Sequence, residues 1–260
     1  MASLVLDRLN VVESGAGEVT AVLLHGWTLD HTSWDRVAPS LPGRVVRYDH
    51  RGHGASGAGL PATIEELADD LALVLSERVP TGRIVLAGHS MGGMTIMALA
   101  EAHPAVFERV SGVALVATSC GDLPPVSRVE RLLGTWMARR STVGFARVMS
   151  PGIRVGLFGK GASWSDVRAS ADAIGRCDGP SFGGFRDSLS AHQRREALRA
   201  LAGIPTVVLA GGADRLTPLR HARALAEALP HAELVIYPRA GHMLPLERST
   251  DVAGRIAHLM

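Results

Sequence analysis

Lysine is almost absent from this sequence. Lys160 is the single lysine among 27 basic residues, which face 25 acidic ones and leave a net charge of +2. So small an imbalance makes no electrostatic case for binding nucleic acid or an anionic membrane. Cysteine occurs twice, at Cys120 and Cys177. That is too few for the multi-bridge framework of a small secreted domain, and 260 residues need no such staple, so two reduced thiols are expected. No stretch approaches the ~18 uninterrupted apolar residues of a membrane span. Asp7 and Arg8 interrupt what would have to be the apolar part of a secretion signal. These absences predict a soluble, cytoplasmic protein with no membrane span and no nucleic-acid partner.

Neither of two cofactor signatures is complete. Gly52, Gly54 and Gly57 have the G-x-G-x-x-G spacing, but Gly59-Leu60-Pro61 follows where a dinucleotide-binding turn would open a helix, and Lys160 sits between Gly159 and Gly161 without the upstream glycine of a P-loop. His50 and His53 lack the Cys or carboxylate cluster that would complete a metal site, and a turn built by Arg51-Gly52-His53-Gly54 explains them. No metal and no other cofactor is expected.

What is present is a globular balance, 47% hydrophobic and 20% charged, in a length that suits one large domain spanning 1–260. Short, continuously apolar runs at Val19–His25, Val45–Tyr48, Ile84–Ala87, Val113–Val116, Thr206–Ala210 and Leu234–Tyr237 read as strands buried on both faces. Helical patterns alternate with them at Thr63–Val79, Met91–Ala102, Leu219–Leu229 and Leu246–Met260. Thr63 with Glu65 and Glu66 supplies a hydroxyl acceptor and negative charge at a helix start. Repeated βα units imply an α/β fold, a mostly parallel sheet flanked by helices. The alternation stops over 120–195, where no strand pattern occurs. A structureless loop of that length is foreign to a compact domain, so the segment reads as an inserted helical cap, a lid placed after the sixth sheet strand. Six of the chain's eleven aromatics lie there, among them Trp136, Phe145, Phe158 and Trp164, which suggests an apolar cover.

Gly88-His89-Ser90-Met91-Gly92 is a G-x-S-x-G motif set between a strand-like run and a helical one. A serine on so tight a turn is thrust out at the carboxyl end of the sheet. Its hydroxyl needs a base, and the base needs an acid to orient it. Asp214, in GGADRLTP after one strand, and His242, in AGHMLPLE after the next, fit those roles in chain order. Asp122, after the preceding strand, is the rival acid. An oxyanion requires two backbone N–H donors. Met91 at a helix start and Trp27 in LLHGW are placed to give them, while His25 and His89 read as hydrogen-bonding scaffold.

Together the motifs LLHGW at 23–27, RYDHRGHGAS at 47–56, LAGHSMGG at 86–93, GGADRLTP at 211–218 and AGHMLPLE at 240–247 resemble the α/β-hydrolase superfamily over nearly the whole chain. GHSMGG is similar to the serine carboxylesterase and monoacylglycerol-lipase-like branch. The resemblance implies the α/β-hydrolase fold, Ser90 as nucleophile, Asp214 as acid, His242 as base, and the amides of Trp27 and Met91 as oxyanion hole. The function it implies is a serine hydrolase, with an acyl-enzyme, cleaving a small-molecule carboxylic ester of moderately apolar character. Trp136, Met137, Phe145, Phe158, Trp164 and Met243 are the expected substrate-pocket residues. A lactonase, a thioesterase, a C–C bond hydrolase or a cofactor-free perhydrolase could use the same triad, and a ligand-binding or biosynthetic scaffold could keep the fold without turnover.

Overall fold

The computed structural model describes residues 8–57, 60–126 and 143–260, with 143–145 described by their backbone alone. Seven strands form one sheet: β1 (Val11–Ser14), β2 (Val19–Leu24), β3 (Arg44–Tyr48), β4 (Arg83–His89), β5 (Val110–Val116), β6 (Thr206–Gly211) and β7 (Glu233–Tyr237). Their order is β1-β3-β2-β4-β5-β6-β7, parallel except for the antiparallel β1–β3 pair. β1 is the strand that the sequence reading lacks. Its four residues, Val-Val-Glu-Ser, are half-buried or exposed at the sheet edge, so they carry no continuous apolar run.

Alternate residues of the central strands enter two separate apolar layers. Val22, Leu24, Ile84, Leu86 and Leu115 face one layer, with Leu67 and Leu71 of α1 (Ile64–Arg78) and Met94 and Met97 of α2 (Met91–Ala102). Ala21, Leu23, Val85, Ala87 and Val116 face the other, with Trp34, Leu244, Val252 and Ile256. Burial on both faces explains why the strands read as unbroken apolar runs. Thr63 caps α1 as expected, its Oγ1 accepting from the Glu66 N–H at 3.3 Å.

The C-terminal helix expected over Leu246–Met260 is instead two, α8 (Leu244–Glu247) and α9 (Ser249–Ala257), separated by Arg248 at φ −138°, ψ 37°. α8 ends where the Glu247 carboxylate turns back onto the N–H groups of Gly241 and Met243. Between β6 and β7 lies α7 (Leu219–Ala228).

The long segment between β5 and β6 contains α3 (Val143–Val148), α4 (Ser150–Leu157), α5 (Trp164–Arg176) and α6 (Gly179–Ala191), and no strand among the described residues. Among the described strands it follows the fifth, β5, rather than a sixth. Phe158, Val167 and Ala173 of the insertion form a small cluster with Leu29 and Met243 of the body. Its apolar interior is thus shared with the body. Ion pairs Arg176–Asp30, at 2.5 Å, and Arg36–Asp166 add polar anchors. Cys120 and Cys177 are buried, unpaired thiols. Among the described residues no helix is long and apolar enough to cross a membrane.

The approach of α2 to the sheet sets a sharp steric requirement. A Cβ on Gly92 would lie 2.7 Å from the Leu24 Cβ and closer still to its carbonyl oxygen, whereas a Cβ on Gly254 of α9 would meet nothing within 4 Å. Gly92→Ala is therefore expected to destabilise by about 2 kcal/mol or more through forced backbone shifts. Gly254→Ala is expected to stabilise by about 0.5–1 kcal/mol through helix propensity. Urea denaturation midpoints of the two variants check this opposition of sign.

Candidate active site

β2 lies between β3 and β4, so the chain leaves β2 in one direction and returns past it to form β4. Ligand crevices form at such a reversal, beyond the carboxyl ends of the strands. Two of the expected site segments start there, Gly26-Trp27 after β2 and Ser90 after β4.

Ser90 has φ 52° and ψ −115°, a conformation costing a non-glycine residue on the order of 1–3 kcal/mol. Surrounding bonds hold it. The Ser90 N–H donates to Val116 O at 2.9 Å, and Ser90 O accepts from Gly93 N at 2.9 Å and Thr118 Oγ1 at 2.7 Å. The side chain is left half-exposed at the positive end of α2. Met91 opens that helix, so its N–H has no intrahelical acceptor.

Gly26 packs beside the elbow, since a Cβ there would stand 3.2 Å from Ser90 Cβ. His25 fixes the Gly26 turn. Its Nε2 accepts from the His50 N–H at 2.9 Å, so Nδ1 carries the proton and donates to Gly26 O at 2.8 Å. Thr28, at φ 63°, and the bond from Leu29 N to Gly26 O complete the turn that presents Trp27.

On the other side, Asp214 and His242 meet with Nδ1 to Oδ2 at 2.8 Å, their side chains 1% and 4% exposed. Asp214 Oδ1 also accepts from the N–H groups of Leu216 and Thr217 at 2.8 and 3.0 Å, and Oδ2 accepts from Thr217 Oγ1 at 2.8 Å. Burial alone would raise the Asp214 pKa, but the imidazole and the Thr217 donors outweigh it and hold this carboxyl below the usual carboxylate range. An ionised carboxylate only accepts, so Nδ1 of His242 carries the proton and Nε2 is left as a basic atom. Asp122 is elsewhere: it is exposed, with Gln193 Nε2 at 3.4 Å from its carboxylate.

Ser90, His242, Gly26 and Trp27 line one cavity of about 500 Å³, with Met149, Ile153, Leu157, Phe182 and Leu189 supplying apolar walls from the insertion. Of the pocket residues named from the sequence, Met243 lines it. Phe158 does not, being turned into the small cluster with Leu29 and Val167. Trp164 does not either; it is 52% exposed at the start of α5, with the Arg154 guanidinium 5.1 Å from its ring. Trp136 and Met137 lie outside the described residues, as does the side chain of Phe145. Phe182 and Thr217 escaped the sequence reading. Thr217 had a signal, an oxygen donor three residues after Asp214 in a turn motif.

His89 donates through Nε2 to His242 O at 2.9 Å, and burial pushes its pKa down to about 3. Burial does the same to His53 and His192, each to about 3. His53 and His50 belong to the turn after β3, where His53 Nδ1 bonds to Arg51 O. Asp30, His31 and Asp49 bring possible metal-ligand atoms within 4.8 Å of one another. Protein donors already use all four carboxylate oxygens: Thr32 and Arg176 on Asp30, and His31, Asn10 and Ala55 on Asp49. The cluster is therefore a structural hub.

Buried histidines with depressed pKa values bind protons only on unfolding, so stability holds above the unfolded value near 6.5 and drains as pH falls toward 3. His31, raised by Asp49, works in the opposite direction, but singly. The melting temperature is expected to fall by on the order of 10 °C between pH 7 and pH 5, measured by circular dichroism.

A family profile described as "alpha/beta hydrolase fold" matches residues 21–249. A pimeloyl-[acyl-carrier protein] methyl ester esterase of Klebsiella pneumoniae is 29% identical over 237 residues, covering 88% of each chain. One of Chromobacterium violaceum is 31% identical, covering 91% of this chain and 92% of its own. Among solved structures, a thermophilic esterase from Thermogutta terrifontis superposes with a TM-score of 0.81 at 28% identity, over 96% of this chain and 92% of that one. With the match spanning the sheet, the elbow and both later loops, the chain belongs to the alpha/beta hydrolase family.

Proposed function

We propose that the protein is a serine carboxylic ester hydrolase working through an acyl-enzyme on esters of moderately apolar character. The observation that carries this reading is the buried His242–Asp214 pair opening onto the same cavity as the strained Ser90 elbow. Ser90 Oγ attacks the ester carbonyl while His242 Nε2 takes its proton. Asp214 holds the imidazole in the required tautomer and stabilises its cation. The oxyanion lies against the N–H groups of Trp27 and Met91. His242 then returns the proton to the leaving alkoxide, and the same base activates water to release the acid. These groups supply the whole sequence of steps, so the scheme calls on no cofactor.

Residues 120–195 serve as a lid in this reading, supported by the walls that α4 and α6 give the cavity. A cytoplasmic location fits the two cysteines held as thiols. Ser90→Ala is expected to cut kcat by at least about 10³-fold with an unchanged melting temperature. Retention of more than a few per cent of wild-type turnover on a good ester would remove Ser90 as nucleophile.

The apolar walls make a second forecast. Each acyl methylene buried there is worth about 0.8 kcal/mol, or roughly fourfold in kcat/KM. A p-nitrophenyl series from acetate to hexanoate should therefore climb until the cavity is filled. A flat series would show that the walls do not meet the acyl chain.

A further inference from the structure

We propose that Glu247 is a positioning residue that sets the His242 turn and ties it to the helical insertion. The proposal rests on His242 being the base. Glu247 closes α8, five residues beyond the imidazole, and its carboxylate is bent back over the turn. The N–H of Gly241 donates to both oxygens, at 3.0 and 3.1 Å, and the N–H of Met243 donates to Oε1 at 3.2 Å. One carboxylate thus holds the residues on either side of His242. A third donor comes from the insertion: the N–H of Gly159, just past α4, reaches Oε2 at 2.9 Å. In return, the N–H of His242 donates to Leu157 O at 2.8 Å.

The two backbones are in direct contact at these points. A Cβ on Gly241 would stand 2.5 Å from Gly159 N, and one on Gly159 would stand 2.7 Å from Gly241 N. Amides 241, 242 and 243 are therefore all fixed, two by Glu247 and one by the insertion. The insertion takes one of its own bonds from the same carboxylate. Displacing the Leu157–Gly159 stretch would free the amide of His242 itself, so the position of the lid and the aim of the base form one mechanical unit. Misplacing a reacting group by about 1 Å costs on the order of 100-fold in rate. A residue acting in this way should change kcat far more than KM.

The test compares wild type, Glu247→Gln and Glu247→Ala by kcat and KM on p-nitrophenyl acetate, by the rate of covalent labelling with a fluorophosphonate, and by melting temperature. Alanine leaves three N–H groups without their acceptor, and kcat and labelling rate should fall about 10- to 100-fold with KM within about twofold. Glutamine keeps one carbonyl acceptor but turns an NH₂ toward the other donors, so it should lose less, about 3- to 10-fold. Alanine at wild-type kcat and labelling rate would overturn the proposal. So would equal losses in both variants, which would trace the effect to charge alone. If the alanine variant melts below the assay temperature, the glutamine variant decides: a several-fold fall in kcat at unchanged melting temperature supports the proposal, and wild-type turnover refutes it. A wild-type protein that takes no label would instead strike at Ser90 and His242, and the proposal would fall with them.

Discussion

A carboxylate taken out of water must be surrounded by donors or it will not stay charged, and the hydrogen bond between Asp214 and His242 depends on that condition. Burial of the charged form costs several kcal/mol unless it is offset. Here four donors converge on Asp214: two backbone N–H groups, the Thr217 hydroxyl and the imidazole. Three of the four come from the turn that carries Asp214. The acid is thus locally satisfied before His242 arrives, and the imidazole adds the bond that selects its tautomer. The bond occupies Nδ1 and leaves Nε2 outside it, on a residue that lines the same cavity as Ser90.

Geometry of the sheet supplies the rest. Strands β2 and β4 are neighbours, so the turn carrying Trp27 and the elbow carrying Ser90 emerge side by side, while β6 and β7 deliver Asp214 and His242 from the same edge. The elbow is strained, and its bonds to Val116 and Thr118 make β5 and the loop after it part of its support. Buried neutral histidines fasten the remaining turns. His25 holds the carbonyl of Gly26 and His89 holds that of His242, so one imidazole stands behind each side of the cavity.

Much of this was legible in the sequence, for reasons that differ by residue. The parallel strands were visible because burial on two faces demands unbroken apolar runs. Ser90, Asp214 and His242 were visible because each follows such a run, in the order serine, acid, histidine that the resemblance to α/β-hydrolases implies. β1 was hidden because an edge strand of four half-exposed residues needs no apolar run. The break at Arg248 was hidden because no glycine or proline stands there to mark it; it accompanies the return of Glu247 to Gly241, six residues back, and to Gly159 in the insertion. Within the insertion, composition announced an apolar cover but not which aromatics face inward. Phe158 packs away from the cavity, Trp164 faces solvent and Phe182 lines the wall, and only tertiary packing separates these cases.

The central claim is that Ser90 carries the acyl group during turnover. Acid-quenching the wild-type protein within the first turnovers of a p-nitrophenyl butyrate reaction, followed by peptide mass spectrometry, tests it directly. A butyryl mass increment is expected on the peptide containing Ser90, confined to that serine, and it should disappear as substrate is exhausted. Steady release of nitrophenol with a burst-phase acyl group on a different residue would contradict it.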